Sequence, residues 1–157
     1  MIKGIESLDN SIKKLFSLNV DSNNSKKILN IVAKNIRGDV ESNFLSERDP
    51  YGNPWAELTS YTRKNKKRRQ EILQDTGALM EEMTSMDNYI ISGNKLDVVT
   101  TVTGESPNDF YGQSHNEGIG VTKRQFLDYT DNIHNSIDED IIRFLQSWFT
   151  VYQIKNY

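Results

Sequence analysis

Apolar residues recur every four positions along one stretch of the chain, at Ile28, Val32, Ile36, Val40 and Phe44, with Leu29 and Leu45 beside them. This spacing predicts a helix, and at about 100° of turn per residue each step of four drifts by roughly 40°. The stripe therefore winds around the helix, and its two ends must be buried against different partners. The polar cluster Asp21-Ser22-Asn23-Asn24-Ser25 is expected to supply capping oxygens at its start. Its end is set by Glu47-Arg48-Asp49-Pro50-Tyr51-Gly52-Asn53-Pro54-Trp55, where two prolines and a glycine cannot continue a helix. Tyr51 and Trp55 are costly to leave in water, so this loop is expected to be ordered, either on its own core or inserted into a neighbour.

The remaining elements are arranged around that helix. Ile5, Leu8, Ile12, Leu15 and Phe16 mark an amphipathic amino-terminal helix. Thr59 and Ser60 offer cap chemistry for a polar segment running to Gln70, and a short helix is predicted over 75–83 with Leu79, Met80 and Met83 inward. The period then changes. Tyr89-Ile90-Ile91-Ser92 and Lys95–Val102 are rich in β-branched residues and flank Gly93-Asn94, which predicts a hairpin near 88–103. Leu79, Met83, Tyr89, Ile91, Val98 and Val102 are the expected small core. Residues 104–120 predict a partly ordered loop with one helical turn at most. Ile133, Ile137, Ile141, Ile142, Phe144, Leu145, Trp148 and Phe149 mark a long last helix whose apolar residues fill roughly half its circumference. That is more than one core needs, so part of it should meet another subunit. The fold class is α+β, with long terminal helices packed around a small antiparallel sheet. Residues 1–24 are read as a helical arm and 25–157 as the domain.

Composition narrows the chemistry. The 157 residues contain no cysteine, which removes disulfides, thiolate metal sites and a Cys nucleophile. The formal net charge of −3 disfavours a general nucleic-acid coat protein or a DNA-binding regulator. No apolar run approaches the ~20 residues of a membrane span, and the start lacks the form of a secretion signal, so a soluble protein made in the cytoplasm is expected. Six basic residues within seven, at Arg63, Lys64, Lys66, Lys67, Arg68 and Arg69, would contact DNA or an acidic partner, or else form a solvated helix face. His134 is expected to be exposed. His115 titrates in the range of a general base, but no Gly-flanked serine accompanies it, which favours a hydrogen-bonding role. Neither histidine has ligand-spaced companions, and the adjacent Glu81 and Glu82 point in different directions on a helix. No catalytic, metal or cofactor site is predicted, and the protein is not expected to be an enzyme.

Several ordered features do resemble a known family. Phe44, Asp49-Pro50-x-Gly52-x-Pro54-Trp55, Leu58 and Thr62 are followed by Ile72-Leu73-x-Asp75-Thr76-Gly77-x-Leu79, a hairpin, Tyr111 with His115 and Gly118, and Arg124-x-Phe126-Leu127 before the last helix. Over roughly residues 30–147 this order resembles the phage virion-morphogenesis family, the tail-completion proteins of contractile-tailed phages and Mu-like prophages. The stretch Thr122-Lys123-Arg124-Gln125-Phe126-Leu127 stands where the family usually has prolines.

The resemblance implies a structural virion protein of the neck or proximal tail end, made in the host cytoplasm, that completes the tail and enables head–tail joining. It also implies a homo-oligomeric ring, with a hexamer favoured, in contact with other neck and tail proteins and with no membrane. Tyr51, Trp55, Phe126, Leu127, Ile142, Trp148 and Phe149 are the expected interface residues. The basic segment would face packaged DNA or an acidic ring. The alternatives are a phage-carried cell-wall hydrolase and a DNA-binding regulator that uses residues 63–69.

Overall fold

The computed structural model describes residues 22–66, 70–93, 95–98 and 111–155, and the side chains of 23–148 among these. In chain order the elements are α1 (Ser22–Ser46), α2 (Ser60–Asn65), α3 (Ala78–Thr84), a 3-10 turn (Met86–Asn88), β1 (Tyr89–Ser92), β2 (Lys95–Val98), α4 (Tyr111–Glu117) and α5 (Asp131–Lys155). This is the expected α+β arrangement of long helices with a two-stranded antiparallel sheet. The amino-terminal amphipathic pattern, the strand residues Val99–Val102 and Phe110 lie outside the described residues.

The winding stripe of α1 does what its drift requires. Ile28, Leu29 and Val32 form one buried cluster with Ile133, Ile137 and Ile141 of α5. Val40 and Phe44, two turns further on, form a second cluster with Trp55, Ile72, Leu79, Met83 and Phe126. One helix thus spans two cores. The hairpin lies across both: Ile91 and Leu96, which pair directly, pack on the first cluster, and Val98 packs on the second. Opposite Val98 is Tyr89, whose hydroxyl donates to Met83 O at 2.9 Å. Burial pushes that hydroxyl up to about 12, so it keeps its proton.

Three stretches differ from the sequence expectation, the first being the helix expected over 75–83, which starts only at Ala78 because Gly77 before it has a left-handed φ of 85°. Ser22–Ser25 of the polar cluster lie within α1, where Asn24 and Ser25 are buried. Residues 111–117 form about two helical turns, where a loop with one turn at most was expected. What makes this helix possible is close packing, because a Cβ on Gly112 would stand 2.9 Å from Leu79 Cδ1. Tertiary contact has outweighed poor local propensity.

The carboxyl end of α1 is closed without glycine. Glu47 has a left-handed φ of 51° and is held from two sides. Trp55 N donates to Glu47 O at 2.8 Å, and Glu47 Oε1 accepts from Ile72 N at 2.6 Å. Buried Gln74 donates to Phe44 O at 3.1 Å, which satisfies one of the last helical carbonyls.

Candidate functional site

The stretches that carried the resemblance are far apart in the sequence, and the fold brings them into one knot. Phe44 sits at its centre, edge-on to Trp55 with ring centroids 5.6 Å apart and tilted against Phe126 at 5.1 Å. The loop Asp49–Trp55 is a local turn organised by Asp49, whose Oδ1 accepts from Tyr51 N at 2.9 Å and Asn53 N at 2.8 Å. It is stitched to the segment preceding α5: Trp55 Nε1 donates to Gln125 O at 2.8 Å, and the Tyr51 hydroxyl donates to Asp128 Oδ2 at 2.8 Å. Arg124, itself buried, donates to Ala56 O at 3.0 Å and Glu57 O at 3.2 Å.

Asn116 completes the strap. Its Oδ1 accepts from Phe126 N at 3.0 Å and Leu127 N at 2.9 Å, and its Nδ2 donates to Leu127 O at 3.1 Å. Asn43, also buried, donates to Phe126 O at 3.2 Å. Sequence reasoning missed both asparagines. Asn116 lies among polar neighbours and Asn43 sits off the four-residue apolar stripe of α1, and it is the strap they hold that gives them a role.

Beside the knot is an open groove of about 970 Å3. Leu58 and Thr62 line one wall, and Leu73, Asp75 and Thr76 another. Tyr111, His115 and Arg124 close it. Burial lowers the His115 pKa from its usual 6.5, the Arg124 charge adds to this, and a hydrogen bond to the Thr122 backbone opposes it. His115 Nδ1 is buried without a hydrogen-bond partner. A group held neutral in the fold but protonated more readily when unfolded contributes stability above pH 6.5 and loses it as the pH falls below that value. Urea midpoints should therefore drop from pH 7.5 to pH 5.5 by more in the native protein than in His115→Asn. Equal drops would remove this role.

His134 is half-buried, contrary to the expected exposure, because Tyr129 stands over it. The Tyr129 hydroxyl lies 2.6 Å from Nδ1, and Asp138 Oδ2 lies 3.3 Å from Nε2. Among the described residues no group of three or more His, Cys, Asp or Glu is placed to hold a metal ion, and no helix is long and apolar enough to cross a membrane.

The expected interface residues fall into two sets. Trp55 and Phe126 are buried in the chain's own core and Leu127 is partly buried against it, so the loop is pinned at home. Tyr51 remains outside, at 63% exposure. Ile142 and Trp148 of α5 are exposed at 53% and 38%, while the Phe149 side chain lies outside the described ones. Tyr51 bonds just before the start of α5 and Trp148 lies roughly 25 Å along it, so they do not form one patch. Arg63 and Lys64 are exposed on α2, and Lys66 Nζ donates to Glu71 O just beyond it. Lys67, Arg68 and Arg69 lie outside the described residues.

The family model of phage virion morphogenesis proteins matches residues 4–146. The chain belongs to the phage virion morphogenesis family. No curated protein and no solved structure matches it. The family match starts further toward the amino terminus than the quoted motifs do. Membership assigns the protein a structural or assembly role in phage virion morphogenesis. Most of the residues that carry the resemblance build the knot or line the groove.

Proposed function

We propose that the protein completes the phage tail at the neck or proximal tail end and so permits the head to join it. The observation that carries this reading is the convergence of the family-motif residues on a cross-bonded knot whose chemistry is that of a rigid part. Phe44, Trp55 and Phe126 fix the centre, and Asn116 and Arg124 tie down the strap that leads into α5. A joint between two large assemblies needs this stiffness, because compliant surfaces lose affinity to ordering on binding. The exposed apolar residues Leu45, Tyr51, Tyr61, Ile142 and Trp148 support a homo-oligomer in contact with other neck or tail proteins. Closed rings are the ordinary outcome for such repeated contacts, and the family resemblance favours six subunits.

Electron microscopy of particles made without this protein tests the reading. Separate full heads and complete tails are the expected result, and normal virions would reject it.

A further inference from the structure

Helix α2 is anomalous. It has six residues, none of them buried, and Tyr61 is 79% exposed. Isolated helices this short are marginal in water. Thr59 caps it by accepting from Thr62 N at 3.1 Å, but a cap does not bury an aromatic ring. Lys64 follows Tyr61 by three residues and so shares its face, and Arg63 is beside it, with no acidic residue in the helix. The result is a bulky aromatic knob beside two basic side chains, of which Arg63 reaches Glu57 at 3.5 Å, with nothing among the described residues to bury the ring.

Helix α5 presents the opposite combination. Its first ten residues carry Asp131, Asp138, Glu139 and Asp140 and no Lys or Arg. Ile142, 53% exposed, is one turn beyond Asp138 and Glu139 and shares their face, away from the buried Ile133, Ile137 and Ile141. These carboxylates have local partners, Asp138 with His134 at 3.3 Å, and Glu139 and Asp140 with Arg143, the residue after Ile142, at 3.0 and 2.7 Å. Exposed pairs of this kind hold weakly and can be exchanged.

We propose that α2 of one subunit docks on the acidic face of α5 in a second copy of this chain, with Tyr61 against Ile142 and Lys64 facing Asp138 and Glu139. This rests on the oligomeric reading above and names its surfaces. Charge and apolar character are complementary across the pair. The two patches are on unlike elements, so the contact is head-to-tail and propagates from copy to copy until a ring closes.

The absence of cysteine gives a clean test. The full chain carrying both Tyr61→Cys and Ile142→Cys, oxidised in an infected-cell lysate and after purification at low salt, should give a ladder of disulfide-linked multimers. Each single variant should give none. Lys64→Glu in that background should reduce the ladder about tenfold, and adding Glu139→Lys should restore it. The positions are exposed, so circular dichroism should report unchanged folding.

A missing ladder in both preparations, or dimers from either single variant, overturns the proposal. Loss of low-salt DNA retention in Lys64→Glu with an undiminished ladder also overturns it and assigns α2 to nucleic acid. The ladder is independent of head–tail joining, so separate heads and tails in particles lacking the protein, with no ladder, would reject this contact alone.

Discussion

Phe44→Ala is expected to lower the unfolding free energy by about 3–5 kcal/mol, the range for removing a fully buried aromatic ring. Phe44 has no exposed surface and touches both Trp55 and Phe126. The cost should be at the high end because the cavity cannot collapse. The Trp55 ring is held by its bond to Gln125 O and cannot move in without breaking it, and the Phe126 backbone is fixed by Asn116 and Asn43, which limits how far its ring can follow. Typical domain stabilities are about 5–15 kcal/mol, so a large share would be lost. The neighbouring residue is the control. Leu45 is 70% exposed, and Leu45→Ala should fall within about 0.5 kcal/mol of the native protein. Urea denaturation of both variants measures the difference. A loss under about 1 kcal/mol for Phe44→Ala would mean that the two rings are not pinned as described.

Asn116→Ala should cost about 3 kcal/mol by a different route. It removes the partners of two backbone N–H groups and one carbonyl in the strap, and an unsatisfied buried group costs roughly 1–3 kcal/mol. Water reaching Leu127, which is partly buried, offsets part of the sum. Hydrogen exchange separates this from a general loss of stability, because the Phe126 and Leu127 amides should lose protection beyond the global change. Asn116→Asp keeps the acceptor and forfeits the donor, and should be milder. Protection unchanged in Asn116→Ala would assign the strap to another support. Because this strap leads directly into α5, the same variant should also weaken the subunit contact that α5 is proposed to make.

The sequence was legible where a local rule has one outcome. Proline and glycine at 50–54 had to end α1, and Gly93-Asn94 between two β-branched runs led to the pairing of Tyr89 with Val98 and Ile91 with Leu96. Leu79 and Met83 were found inside because a seven-residue helix has one inward side. Residues 111–117 were not legible, since Gly112 weakens a helix locally and only Leu79 packed against it reveals its use. Trp55 left two outcomes open, its own core or a neighbour's, because burial of an indole looks the same from the sequence in both cases. The bond from Nε1 to Gln125 O, seventy residues away, decided between them.

By itself, the sequence determined that α1 must serve two cores, because a four-residue spacing drifts around a helix whatever surrounds it. It also determined the family, through motifs whose order survives without any geometry. Only the tertiary structure decided that those motifs form one knot, that Trp55 and Phe126 belong to the interior, and that Tyr61 and Ile142 are left outside. Periodicity describes one element at a time. Which apolar residues remain exposed depends on how much of each surface the other elements cover, and that is a property of the whole chain.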